Sequence, residues 1–142
     1  MTMTWTPFLY VDGQAEEAIE FYGKALGAKL VFKQTYGEAP DGSGKELPAE
    51  RQRLVAHSVL QAGESTLFVA DVEPGMAASH GSKVSLCVET SDAEQARILF
   101  DLLADGGQVA LPLQPVHFSP AYGIVTDRFG VQMLVSARRP QA

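Results

Sequence analysis

Apolar residues recur with a helical period in two stretches of the chain and with a strand period in several shorter ones. From about Gln14 to Leu26, the residues Ala15, Ala18, Ile19, Tyr22 and Leu26 fall on one face of a helix, and Gly27 ends the run. A second stripe of Ala96, Leu99, Phe100 and Leu103 predicts a helix from about Ala93 to Ala104. Ser91 with Glu94 three residues on has the spacing of a capping box, and Gly106-Gly107 stops the helix. The remaining apolar segments are strand-length. Phe8 to Val11 precedes the first helix, and Lys29 to Gln34 follows it. Leu54 to Leu60 and Thr66 to Ala70 flank a turn at Ala62-Gly63-Glu64. In the second half, Lys83 to Glu89 precedes the helix and Val109 to Leu113 follows it. Gly123 to Thr126 and Val131 to Ser136 then flank Asp127-Arg128-Phe129-Gly130, which has the residue preferences of a type I turn.

Each half thus reads strand, helix, then three strands. An offset of 79 residues lays Phe21 on Phe100, Ile19 on Ile98, Ala25 on Ala104, Gly27 on Gly106 and Leu30 on Val109. Order and match together indicate a duplication. The expected fold class is α+β, a single domain of two βαβββ units at about 5–71 and 83–136 with a linker at 72–82. The polar stretch Gly37 to Arg53 breaks the symmetry and does not read as core. One helix covers only one face of a four-stranded sheet, so the other face must meet the second half, a partner chain or a ligand. Curved mixed sheets of this kind are expected to enclose a cleft.

Composition narrows the function classes. With 142 residues, 46% apolar and 20% charged, the chain is ordinary globular protein. A net charge of −6 opposes nucleic-acid binding, and no cluster of Lys and Arg offsets it. No apolar run approaches the ~20 residues of a membrane helix. The segment MTMTWTPFLY lacks the regions of a signal peptide, and a lone cysteine, Cys87, makes no intrachain disulfide. The expected location is cytoplasmic.

The stretches YVDGQAEEAIEFYGKALGAK, AHSVL, FVADV and YGIVTDRFGVQMLV resemble the PhnB-like branch of the vicinal oxygen chelate superfamily, which includes glyoxalase I, extradiol dioxygenases and bleomycin-resistance proteins. The resemblance runs from about Pro7 to Val135, and Glu20–Gly27 and Thr126–Val131 are its most specific parts. It implies a glyoxalase/bleomycin-resistance-like fold and paired chains, hence a homodimer. Many relatives carry the label 3-demethylubiquinone-9 3-methyltransferase, yet the chain has no glycine-rich strand-to-helix turn for a methyl donor. This branch often has Trp where Met133 and Phe118 stand, which would reshape the cleft wall. Metal-dependent members bring His or Glu to positions that align with Thr6, Val69, Lys83 and Leu134. Neither these residues nor their immediate neighbours are His, Asp, Glu or Cys, so no metal and no other cofactor is expected.

His57, mid-strand in VAHSVL, is the candidate catalytic residue, as a general base or hydrogen-bond donor in the cleft; otherwise it is a histidine satisfied by a polar neighbour. Tyr10, Lys83, Phe118 and Tyr122 are the candidate ligand-binding residues. Tyr10 shares a face with Thr6 and Phe8, Lys83 would attract an anionic group, and Phe118, in a Pro-rich loop, would cover the cleft mouth. Tyr22 belongs to the core. Cys87 follows the register of Lys83 and Ser85, but no adjacent base or positive charge activates it, so a small buried hydrophobe is expected. Asp71 and Asp127 follow strands and are expected to hold turns. A metal set from His57, His117 and Asp71 matches no spacing motif. The leading reading is a metal-free protein that binds a small organic molecule, to sequester it or to act on it by acid–base chemistry. The alternatives are a metal-dependent lyase, isomerase or dioxygenase of the glyoxalase type with relocated ligands, and a structural dimer with a filled cleft.

Overall fold

The first repeat runs β1 (Phe8–Val11), α1 (Ala15–Leu26), β2 (Lys29–Thr35), β3 (Val55–Ala62) and β4 (Ser65–Asp71) in a computed structural model that describes residues 4–72 and 84–139. Between β2 and β3 lie two 3-10 turns, Tyr36–Glu38 and Ser43–Glu46, and the one-turn helix α2 (Ala49–Gln52). The second repeat runs β5 (Leu86–Thr90), α3 (Ala93–Ala104), β6 (Gln108–Val116), β7 (Ser119–Thr126) and β8 (Gln132–Ala137). Each repeat makes its own sheet, in the order β1-β4-β3-β2 or β5-β8-β7-β6. The first strand of each unit is parallel to the last, and the other neighbours are antiparallel. The chain divides into two units, Met1–Ser79 and His80–Ala142. The βαβββ pattern is therefore the one expected. Lys83 and all but the first residue of the expected linker lie outside the described residues.

The helices pack by the stripes their period predicts. Ala15, Ala18, Ile19 and Tyr22 of α1 are buried, as are Ala96, Leu99, Phe100 and Leu103 of α3. The offset between the repeats is not uniform, however. Val11 matches Thr90 and Lys29 matches Gln108 at 79, whereas Ala15 matches Ala93 at 78, because the connection into α3 is one residue shorter. One residue of slip turns a helix by about 100°. Ile19 is accordingly buried while Ile98 is 48% exposed, and Tyr22, not Phe21, is the counterpart of Phe100. The cap differs by one residue as well: Asp92, not Ser91, is the N-cap of α3, accepting a hydrogen bond from the Gln95 N–H at 2.8 Å.

α1 is capped from outside its own sequence. The Asp71 carboxylate, buried at the end of β4, accepts the Ala15 N–H at 3.0 Å and the Val55 N–H at 2.9 Å. One acid thus ties together helix start, β3 and β4. Asp127 holds the β7–β8 turn, as expected, by accepting the N–H groups of Phe129 and Val131 at 2.9 and 3.0 Å. The polar insertion is more ordered than its composition suggests. The Gln52 amide donates to the Leu47 carbonyl at 2.8 Å, and Gly44 is buried where a Cβ would overlap the Tyr36 carbonyl oxygen.

Candidate functional site

Strand alternation sorts the unit 1 sheet into two faces. Val69 and Asp71 of β4 turn toward α1, since the Asp71 carboxylate reaches the helix start and Val69 is fully buried. The opposite face carries Phe8 and Tyr10 of β1, Phe68 of β4, His57 of β3 and Phe32 of β2. Register brings them together: Phe8 pairs with Phe68, Val59 with both Phe68 and Phe32, and Gln34 with His57. The His57 ring centroid is 5.0 Å from Phe68, 5.8 Å from Phe8 and 6.2 Å from Phe32. Phe8 stacks on Tyr10 at 4.4 Å with the planes 7° apart.

Two expected site residues, Tyr10 and His57, therefore share one face, with Phe8 between them. His57 is half-buried, and no described residue hydrogen-bonds its imidazole. Its polar companion by register is Gln34, whose amide likewise has no hydrogen-bond partner among the described residues. Sequence reasoning did not single out Phe32, Phe68 and Gln34, which share this face. Between Leu30 and Phe32 the β2–β3 register shifts, which defeats a simple count of alternate positions. Phe68 stands beside Val69, the residue aligned with a metal-ligand position, and enters the sequence reading only as its neighbour.

In unit 2 Phe118 packs edge-on against Tyr122 at 4.9 Å and against His117 at 5.0 Å. Phe118 does not sit in a Pro-rich loop. It occupies, with His117, the two-residue turn between β6 and β7, and Pro115 and Pro120 lie within those strands. β6 tolerates Pro112 and Pro115 because it is an edge strand with interrupted register. Met133 is fully buried on the α3 side, so it does not line the open face; Leu134 does, opposite Cys87 and Ile124. Cys87 is exposed, contrary to the buried small hydrophobe expected. Partial desolvation, and secondly the Glu89 carboxylate, push its thiol above the usual range. That is the reverse of an activated nucleophile.

The donor set does not fit a glyoxalase-type metal. Thr6 and Leu134 offer no suitable donor, Val69 points into the α1 interface, and Lys83 is outside the described residues. Asp71 and His57 lie on opposite faces of one sheet. Among the described residues no group of three or more His, Cys, Asp or Glu could hold a metal ion.

Each unit also has a groove on its helix side. In unit 1 one of about 870 Å³ lies between the start of α1, the end of β2 and the insertion, with Asp71 in its wall. Two of its acids are engaged: Glu16 pairs with Lys33 at 2.7 Å, and the Thr35 N–H and hydroxyl each donate to Glu38 at 2.9 Å. Those bonds, the backbone one first, hold the Glu38 carboxyl below the usual range. In unit 2 a groove of about 530 Å³ separates α3 from β6 and β7. Neither groove includes His57, Tyr10, Phe118 or Tyr122.

A family profile described as 3-demethylubiquinone-9 3-methyltransferase matches residues 3–136. The chain belongs to that family. Among its relatives is Protein YjdN of Escherichia coli, 29% identical over 98% of each chain. The solved structure of protein PA1353 from Pseudomonas aeruginosa is 28% identical, with a TM-score of 0.86 over 98% of this chain and 100% of that one. A Bacillus cereus structure titled putative 3-demethylubiquinone-9 3-methyltransferase, PhnB protein, is 24% identical, with a TM-score of 0.78 over 95% and 99% of the two chains. The fosfomycin resistance protein FosX of Listeria monocytogenes shares the fold at 9% identity, with a TM-score of 0.69 over 98% and 95%. The family assignment and the glyoxalase-like fold both agree with the resemblance read from the sequence. The methyl donor that the family's description implies finds no glycine-rich turn here. The β1–α1 connection is Asp12-Gly13-Gln14 and the β5–α3 connection is Ser91-Asp92. Among the described residues no helix is long and apolar enough to cross a membrane.

Proposed function

We propose that the protein binds a small organic molecule on the aromatic face of unit 1, with His57 as the group that hydrogen-bonds it. The observation that carries this reading is an imidazole ringed by Phe8, Phe32 and Phe68, half-buried and without a hydrogen-bond partner among the described residues. Structure that serves packing alone pairs its polar groups. An uncommitted imidazole among rings is instead a flat apolar floor with one polar handle, the usual composition of a small-molecule site. Tyr10 extends the floor, and the Gln34 amide supplies a second hydrogen-bonding group. The same imidazole suits sequestration or proton transfer to a bound molecule. We also propose that Phe118 and Tyr122, which pack against each other, serve as ligand contacts of unit 2, and that the protein is a homodimer.

Removing the imidazole should weaken ligand binding by about 1–3 kcal/mol, the cost of a lost buried hydrogen-bonding group. The test is mass spectrometry of molecules that co-purify with the protein, followed by calorimetry of the ligand found on wild type and His57→Ala. Equal affinity in the variant, together with a lower folding stability, would make His57 a packing residue and remove the basis of the reading.

A further inference from the structure

The aromatic face carries information about the charge of its ligand. The ring stack is unfinished at one end. Phe8 meets Phe68 edge-on at 5.6 Å and Tyr10 face-on at 4.4 Å, but among the described residues Tyr10 has no ring partner besides Phe8 and is 57% exposed. Its outer face is a π surface at the side of the site that no ring of the described residues covers. The face is also poor in cations. Lys33 faces the other way, where it pairs with Glu16. By register Lys29 pairs with Gln61, four residues along β3 from His57, or roughly 13 Å at strand spacing. No carboxylate or phosphate placed beside His57 would meet a Lys or Arg of this described face. The chain as a whole carries −6, a field that repels anions and draws cations.

We infer that the unit 1 face selects a planar organic cation, which stacks on the outer face of Tyr10 and lies over the rings around His57. This rests on the reading of that face as the ligand site and adds the ligand's class. Ring faces are negative at their centres, so several of them attract a flat, weakly hydrated cation more than its neutral isostere. An aromatic anion of the same size gains the same apolar burial but loses on both counts.

The test uses three matched probes on the full chain at pH 8: N-methylquinolinium, quinoline and quinoline-6-carboxylate. Binding is read from NMR shifts of the Phe8, Tyr10, Phe32, Phe68 and His57 ring signals. The expected order is cation, neutral, anion, with the cation about fivefold tighter than quinoline. Tyr10→Leu should abolish most of that preference while Tyr10→Phe retains it, since the ring matters and the hydroxyl does not. Because Tyr10 is exposed, both variants should fold. Equal or tighter binding of quinoline or the carboxylate at these rings would overturn the inference and leave the site reading intact. Failure of all three probes to move any of these signals would overturn both.

Discussion

Cys87 and His57 each sit on the open face of a sheet, yet their surroundings give them opposite chemical prospects. Around His57 the neighbours are rings, with no hydrogen-bond partner among the described residues. Around Cys87 the relevant neighbour is Glu89, on the same face two residues on. A thiol reacts as thiolate, and a raised pKa lowers the thiolate fraction at any pH below it. Iodoacetamide should therefore label Cys87 more slowly than free cysteine at pH 8, although the side chain is exposed. Glu89→Gln should speed the labelling but leave it below the free-thiol rate, because desolvation is the larger cause. Timed alkylation followed by intact mass decides it; labelling as fast as free cysteine would contradict this account. The shared face of Tyr10 and His57 has different standing in the sequence. Tyr10 was legible by simple alternation from Thr6 and Phe8. His57 was placed through the family resemblance, since alternation alone does not say which face of a strand looks outward.

At the level of elements, the two long helices were legible almost to the residue because their apolar stripes are unbroken. What the sequence hid were features made by residues distant in the chain or by local irregularity. The cap of α1 is Asp71, 56 residues from the Ala15 N–H it accepts, so no local capping motif reveals it. The register shift in β2 concealed Phe32, and a tight turn with prolines inside its flanking strands read as a loop around Phe118. Asp71→Ala should leave two buried N–H groups without their charged acceptor and cost about 3 kcal/mol of stability. Asp71→Asn keeps one acceptor oxygen and should cost less. Urea unfolding measures both; a loss under about 1 kcal/mol for the alanine variant would mean that water takes over the carboxylate's role. Gly44→Ala should also destabilise, since its Cβ would overlap the Tyr36 carbonyl oxygen and the insertion would have to rearrange.

For the whole molecule, the duplication was visible as order of elements and obscured as alignment. The offset of 79 holds at the end of the first strand and the start of the second strand of each repeat, but between them, in the helices, it fails by one residue. Association is the other property at this scale. β2 is an edge strand of its sheet, and Leu30 and Val31 on it are 46% and 61% exposed. An exposed apolar edge is a pairing template, and a two-fold axis across it would satisfy both copies at once. Light scattering at micromolar concentration should return twice the chain mass, and Val31→Lys should shift it toward the monomer. A monomeric wild type would end the homodimer proposal.

The one-residue slip between the helices sets a rule for recombining the two halves. Consider a chimera in which the α1 sequence replaces α3. Grafted at the strand offset, it would put Glu17, Glu20 and Lys24 at positions 96, 99 and 103, all of which are buried. Three charges would then enter a packed interior without partners, and the chimera should fail to fold. Grafted one residue earlier, the same segment puts Ala18, Phe21, Tyr22 and Ala25 at positions 96, 99, 100 and 103, and apolar groups fill the same places. The second chimera should give soluble, cooperatively unfolding protein where the first gives aggregate, and circular dichroism on the pair would tell them apart. Descendants of a duplicated gene can thus keep interchangeable sheets while their helices can be exchanged only out of frame with those sheets.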